Sequence, residues 1–122
     1  MSTQTLLTFE EFEQLPEYQG KQELLRGELS ELPSADPYHH GITEAVFFGL
    51  HAALAAAHAA GRASELGKAH HEFGYKLPDG SYVIPDVSIT HSGQASDKYL
   101  LGAPAIGHRS DLPQQPCGRR GE

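Results

Sequence analysis

The chain has 122 residues and carries 9 Lys and Arg against 16 Asp and Glu, which gives a formal charge of −7 with neutral histidines. This length suits a single domain, and a hydrophobic content of 39% excludes wholesale disorder. The single cysteine excludes an intramolecular disulfide framework, and the acidic balance excludes a protein that coats nucleic acid through its charge alone.

The N-terminal segment predicts a short helix and shows no export signal. No basic region followed by an apolar stretch precedes Thr8, and the cysteine usage fits a reducing compartment, so we expect a cytoplasmic protein. Thr8 and Glu11 have the spacing of a capping box, which predicts a helix that begins at Thr8. The helix is expected to end near Leu15, because the residue before a proline avoids the helical region.

A β-hairpin is the next predicted element. Two short runs of alternating polar and apolar residues flank Arg26 and Gly27, which predicts a turn near Gly27. A helix over Glu23–Leu32 is the alternative, but a glycine in its middle would cost about 1 kcal/mol relative to alanine.

The strongest helix prediction runs from about Pro37 to Ala60, with Asp36 as the N-cap and Gly61 as the stop. Apolar residues at steps of three and four form one stripe along it: Val46, Leu50, Ala53, Leu54 and Ala57. We expect this small-residue stripe to pack closely on a sheet. The high alanine content, together with His51 and His58, argues against a membrane span, so no membrane partner is expected.

The second half of the chain predicts strands. From Glu72 the apolar period changes to two, a turn follows at Pro78–Gly80, and Ser81–Ile84 resumes a strand. Asp86–Thr90 is a further strand, and Ala103–Ile106 is the start of another that ends abruptly; everything after Ile106 lacks periodicity. These elements predict an α+β fold, a mixed sheet packed by the long helix.

Two carboxylates stand out as candidate metal ligands. Asp86 lies at the start of a strand after Pro85, and Glu23 lies in an element that the fold could bring near it. Mg²⁺ prefers oxygen ligands and can activate a bound water against a phosphodiester. The competing interpretation is that Asp86 is a turn acid that caps the preceding hairpin.

The eight histidines do not show the spacing of a zinc site. His51 and His58 lie two helical turns apart, and His70 and His71 point to opposite faces if the segment is extended. No H-x-H or H-x-x-x-H pair exists, so a dedicated zinc site is not expected. A histidine-based metal protein therefore remains only a third hypothesis, which would need a defined zinc or nickel stoichiometry.

Taken together, the motifs resemble the Uma-two family of restriction endonucleases, in the PD-(D/E)XK nuclease superfamily. The matching segments lie in order between about Leu7 and Ile106: Thr8–Phe12 with Leu15-Pro16, Glu23–Leu29, Pro37–His39, Gly74–Leu77 and Pro85–Ser88. The resemblance implies a restriction-endonuclease-like core and Mg²⁺-dependent (or Mn²⁺-dependent) hydrolysis of DNA. It assigns Glu23 and Asp86 as catalytic, metal-binding acids, and it places His39 at a position of substrate or structural role.

The chain departs from the family pattern after Ile106. The family has a second metal-binding glutamate on the next strand and a lysine further on, and neither is present here. Permitted codons for the last residues, shifted by one nucleotide, encode a family-like strand with glutamate at the position of Arg109. We therefore hypothesise a frameshift near residue 107, with residues 1–106 forming a partial domain and residues 107–122 a non-homologous, disordered tail.

This departure predicts a chain without appreciable nuclease activity, in which the two acids hold a metal weakly at best. Loss of a strand exposes a sheet edge, so strand exchange in a homodimer is an expected outcome. The alternative function is a non-catalytic binding or oligomerisation module. Residues 1–106 carry 6 basic and 14 acidic groups, a charge of −8, so DNA binding would depend on bound cations and a local patch.

Overall fold

The computed structural model describes residues 6–18, 20–32 and 37–109. Within these ranges the helices and strands are α1 (Phe9–Glu13), β1 (Lys21–Leu25), β2 (Glu28–Leu32), α2 (Pro37–Ala59), β3 (Leu66–His71), β4 (Tyr75–Lys76), β5 (Tyr82–Val83), β6 (Val87–His91), β7 (Leu100–Leu101) and β8 (Ile106–His108). The predicted N-cap Asp36 and residues 110–122 lie outside the described residues.

The capping box of α1 is confirmed. The Thr8 side chain accepts a hydrogen bond from the Glu11 amide at 3.1 Å, and the Thr8 amide donates to the Glu11 carboxylate at 2.9 Å. These two bonds satisfy amides that the first helical turn leaves without partners. The helix ends at Glu13, two residues before the predicted Leu15, and it buries Phe9.

The predicted hairpin is also confirmed, and its two-residue turn is formed by Arg26 and Gly27. Both residues have left-handed backbone angles, with φ of 48° and 87°, which suits the tight turns that match strand twist. Strands β1 and β2 pair over their full length, from Lys21 opposite Leu32 to Leu25 opposite Glu28. The hairpin therefore fixes which side chains of β1 share a face.

The strands form two sheets. The larger has the order β2-β1-β5-β4-β7, in which β4 and β7 are parallel and the other pairs are antiparallel; the smaller has the order β3-β6-β8 and is antiparallel. Buried apolar side chains come from both sheets and both helices: Phe9, Leu24, Leu54, Tyr75, Val87, Ile89 and Leu100. The architecture is a mixed α+β fold, as the sequence predicts.

Strand β6 is the central strand of the smaller sheet and is buried on both faces. Val87 and Ile89 lie in the apolar core, while Ser88 and Thr90 are buried on the opposite side. The Ser88 hydroxyl is 2.6 Å from the hydroxyl of the fully buried Tyr75, and the Thr90 hydroxyl accepts the Lys68 amide at 2.9 Å. These contacts satisfy the buried polar groups and hold the strand that leads out of Asp86.

Several strand assignments differ from the prediction; β7 (Leu100–Leu101), for example, lies in a segment for which no strand is predicted. Strand β3 was not expected, because its sequence from Leu66 to His71 has no β-branched or aromatic residue. Strand β4 covers only Tyr75 and Lys76, although the alternating pattern is longer. Strand β8 begins at Ile106, where the predicted Ala103–Ile106 strand ends, and runs to His108, since its backbone pairs with β6 regardless of side-chain pattern.

Helix α2 packs on β3 and β6 along one side and leaves much of its surface exposed. Leu54 and Thr43 are its buried residues, and Phe48 is 61% exposed. The predicted stripe is thus only partly covered, with Ala53 exposed.

By length and composition alone α2 could cross a membrane, with a mean hydropathy of 1.3. Glu44 within the helix would be costly in a bilayer. The absence of a membrane partner stays a prediction.

Candidate functional site

Asp86 is a buried carboxylate at the entrance to β6. Its side chain is only 6% exposed and forms a hydrogen-bonded ion pair with the ammonium of Lys21 on β1. His39, in the first turn of α2, places its Nε2 3.9 Å from the second carboxylate oxygen of Asp86. A carboxylate withdrawn from water needs such partners, because burial without them strongly disfavours the charge.

Glu23 is the second buried carboxylate, also with a side chain 6% exposed. It lies on β1 and accepts a hydrogen bond from the backbone amide of Ile84 at 2.7 Å, two residues before Asp86. The same oxygen accepts a hydrogen bond from the Arg109 guanidinium at 2.7 Å. Burial and the charge of Glu23 together raise the pKa of Tyr82 above its ordinary value of 10.0.

Arg109 lies just past the end of β8, where the register aligns it with Asp86. Val87 pairs with His108 in the antiparallel ladder, so one further step along each strand sets Asp86 across from Arg109. The backbone of Arg109 is therefore aligned with that of Asp86, while its guanidinium contacts Glu23. Its side chain is 35% exposed, which leaves one side of the site open to water.

Lys21 and Glu72 complete the site, and the sequence interpretation missed both. The Lys21 ammonium also lies 3.9 Å from a carboxylate oxygen of Glu72, and the Glu72 amide donates to the Asp86 carbonyl at 2.9 Å. Strand alternation could have indicated Lys21, because it precedes Glu23 by two positions and so shares its face of β1. No sequence signal points to Glu72, whose partner Lys21 lies 51 positions away (72 − 21).

The structure brings all three predicted residues to one region. Asp86 and Glu23 approach through the Ile84–Asp86 segment, and His39 faces Asp86 from α2. Asp86 is buried and paired with Lys21, contacts that go beyond those expected of a turn acid that caps the preceding hairpin.

The charges of the site fit Mg²⁺ only in part. Two buried carboxylates offer the oxygen donors that a hard divalent ion prefers. Each of them, however, already has a cationic partner, Lys21 for Asp86 and Arg109 for Glu23. Because a cation beside each carboxylate opposes a further cation, the residues present do not fit a functional magnesium centre.

A family model described as "Putative restriction endonuclease", Uma2, matches residues 9–116, which is most of the chain. The chain belongs to the Uma2 family. The matched range continues beyond Ile106, where the recognisable motifs end. The hypothesis that the last sixteen residues (107 to 122) are out of frame stays a prediction that nucleotide sequencing around codons 100–125 tests.

The fold of this Uma2 chain is similar to a solved structure from Anabaena variabilis ATCC 29413, a putative nuclease belonging to DUF820. The TM-score is 0.58 with 17% sequence identity, over 80% of this chain and 52% of that chain. At this identity the likeness supports the restriction-endonuclease-like fold. The chain thus spans about half the length of the solved structure that it matches, and no curated protein matches it.

Proposed function

We propose that this chain is a catalytically silent member of a DNA endonuclease family, with two of the acids of a Mg²⁺ site and a guanidinium in the place of the third. The observation that carries the proposal is the ion pair between Arg109 and Glu23, at 2.7 Å and beside the strand of Asp86. Family membership supports DNA as the substrate class of active relatives. The roles of Glu23, Asp86 and His39 in this site are part of the proposal.

The electrostatic cost of binding Mg²⁺ supports the proposed lack of activity. In an active site of this kind, Mg²⁺ would polarise the phosphate and lower the pKa of a bound water. A guanidinium about 4 Å from a divalent ion opposes binding by roughly 8 kcal/mol at an effective dielectric constant of 20. Lys21 adds a second opposing charge at Asp86, so two carboxylates alone retain at most weak metal affinity.

The remaining residues hold the two carboxylates in place. The Ile84 amide orients Glu23, and Lys21 and His39 face the two oxygens of Asp86. Lys21 neutralises Asp86 in the metal-free chain, which allows a buried acid to stay ionised. His39 faces the oxygen that Lys21 does not occupy, so it limits how Asp86 can rotate.

Plasmid cleavage tests the proposal directly. The full chain is incubated with supercoiled plasmid DNA in Mg²⁺ or Mn²⁺ and compared with Asp86→Ala. We expect no cleavage above that of the variant. Robust Mg²⁺-dependent cleavage that Asp86→Ala abolishes would overturn the proposal.

Calorimetric titration with Mn²⁺ separates a silent nuclease from an unrelated module. Weak binding that is lost in Asp86→Ala supports a relic of the metal site, because only that carboxylate has changed. The absence of any binding favours a module without metal chemistry.

A second candidate is the non-catalytic oligomerisation module, acting in the cytoplasm as a homodimer. The exposed apolar residues of α2 favour it, with Ile42 40% and Phe48 61% exposed. Sedimentation of the chain and of Phe48→Asp distinguishes the two functions. A dimer that Phe48→Asp dissociates supports the oligomerisation module. If the wild type and Phe48→Asp are both monomers, this second candidate function is excluded.

A further inference from the structure

A second group of potential metal ligands lies where α2 meets β3. It consists of His40 in the first turn of α2, His71 at the end of β3 and Glu72 directly after it. One ligand atom from each lies within 4.8 Å of the other two. The rings of His40 and His71 have their centroids 5.2 Å apart. The set includes neither Glu23 nor Asp86, and Glu72 is the member that also borders the site of those two carboxylates.

Backbone conformation explains why two consecutive residues converge. In a regular strand the side chains of His71 and Glu72 would point to opposite faces. Glu72 instead has a left-handed φ of 54°, and its amide is tied to the Asp86 carbonyl at 2.9 Å. The backbone therefore changes direction at the end of β3, which brings the Glu72 carboxylate to the same side as the two imidazole rings. Such a conformation is unfavourable in a non-glycine residue and persists only where its surroundings hold it.

We propose that His40, His71 and Glu72 bind one divalent transition-metal ion of the zinc class. Two imidazole nitrogens and one carboxylate are ligands that zinc accepts, with a water in the fourth position. Imidazole favours zinc, cobalt, nickel and copper over Mg²⁺, so the site differs in metal class from the paired carboxylates. Tetrahedral coordination with metal–ligand distances of about 2.0–2.1 Å places neighbouring ligand atoms about 3.3 Å apart. Side-chain rotations that move the ligand atoms by about 1 Å would bring all three to these distances.

The surroundings of the site suit this role. His71 Nε2 lies 3.3 Å from the Thr43 hydroxyl, which orients the ring. His40 has Glu44 beside it, with Nε2 3.6 Å from the carboxylate, and its side chain is 46% exposed, so an ion has access from solvent. Lys21 lies 3.9 Å from Glu72, but its closer partner is Asp86.

Metal binding would also link the N-terminal part of α2 to β3 in the smaller sheet. The helix buries only Thr43 and Leu54, and its N-terminal turn approaches β3 through His40 and Thr43. An ion that bridges His40 to His71 and Glu72 binds the folded chain and not the unfolded one, so it stabilises the fold. The readouts are therefore metal affinity, coordination geometry and melting temperature, none of which depends on nuclease activity.

The test is a Co²⁺ titration of the full chain without an affinity tag, monitored by visible absorption and followed by Zn²⁺ displacement. We expect one equivalent of Co²⁺ with the absorption of a tetrahedral site, and a higher melting temperature with Zn²⁺. His40→Ala, His71→Ala and Glu72→Gln should each lower the affinity by about tenfold or more. His51→Ala, on the same helix but away from the site, is the matched control and should leave the affinity unchanged.

The proposal would be overturned by the absence of Co²⁺ binding, by unchanged affinity in His40→Ala and Glu72→Gln, or by an equal loss in His51→Ala. The last outcome would mean diffuse binding to surface histidines. Circular dichroism checks each variant for folding, and if His71→Ala does not fold, His40→Ala and Glu72→Gln decide. Binding that survives in Asp86→Asn supports a separate site, whereas loss in that variant alone would assign the ion to the paired carboxylates and overturn the proposal.

Discussion

The guanidinium of Arg109 donates a hydrogen bond to the buried carboxylate of Glu23 across 2.7 Å, and the strand register sets the same arginine opposite Asp86. One of the two acids that would attract a divalent cation is thus paired with a cation of the chain itself. The pair satisfies Glu23 in the metal-free state, and under the proposed function it opposes binding of the ion.

Replacing this arginine should restore metal affinity. We expect Arg109→Glu to have a lower melting temperature than the wild type in the absence of divalent ions. The substitution places another carboxylate beside Glu23 and removes the cation that neutralises it. Mn²⁺ should raise the melting temperature of this variant and bind at least about tenfold more tightly than to the wild type, a difference of about 1.4 kcal/mol. Calorimetric titration and thermal melts with and without Mn²⁺ measure both effects.

Two controls isolate the position from the charge change. Arg109→Gln removes the cation without adding an acid and should show a smaller gain in affinity. Arg62→Glu makes the same charge change at an exposed position and should show none. An equal gain in Arg62→Glu would attribute the effect to net charge and contradict the assigned role of Arg109.

Lys21 should be required for stability because it neutralises Asp86. Removing one member of a buried ion pair leaves an uncompensated charge and costs about 3–5 kcal/mol. The side chains here are 18% and 6% exposed, so we expect Lys21→Met to lower the free energy of unfolding by about 3 kcal/mol. Urea unfolding measures the change.

A double-mutant cycle tests the origin of this loss. Combining Lys21→Met with Asp86→Asn removes both charges and should recover most of the stability. Lys98→Met, at an exposed lysine, should have little effect. If the double variant is as unstable as the sum of the single variants, the two residues are not coupled and the pairing does not explain the loss.

Local signals in the sequence predict much of the fold, but they do not predict the contacts of the site, which join residues far apart in the chain. The capping box at Thr8 and the turn at Gly27 depend on residues only a few positions apart, so spacing alone reveals them. Pro85-Asp86 marks the start of β6 for the same reason.

Long-range pairs have no such signal. Lys21 and Asp86 are 65 positions apart, and Glu23 and Arg109 are 86 positions apart. The register that aligns Arg109 with Asp86 depends on β8 continuing past Ile106, which the irregular side-chain pattern hides. His40, His71 and Glu72 come together only because β3 packs under α2, and β3 itself was not predicted.

The buried hydroxyl pair behind the site should contribute to stability in a way that depends on both partners. Tyr75 is fully buried, and its hydroxyl is 2.6 Å from that of Ser88. Tyr75→Phe leaves the Ser88 hydroxyl without this partner, so we expect a loss of about 1–3 kcal/mol in the free energy of unfolding. The double variant with Ser88→Ala should lose less than the sum of the single variants.

Chemical denaturation of the four chains in this cycle provides the measurement. Tyr38→Phe is the matched control, because that ring is 77% exposed and the same atom is removed. Strict additivity in the cycle would show that the two hydroxyls do not stabilise each other.

Tyr99 should make the fold sensitive to alkaline pH. Burial, followed by the hydrogen bond from its hydroxyl to the Glu13 carboxylate at 2.8 Å, raises the pKa of Tyr99 from 10.0 to about 12. Between these values the unfolded chain has lost the phenolic proton while the folded chain retains it. The stability is therefore present below pH 10.0 and is lost as the pH rises towards about 12.

Urea unfolding at several pH values from about 8 to about 11 measures this loss. Tyr99→Phe has no proton to lose, so its free energy of unfolding should fall less steeply with pH than that of the wild type. Part of the slope should remain, because burial also raises the pKa of Tyr75 and Tyr82. An equal slope in Tyr99→Phe and the wild type would rule out the contribution of Tyr99.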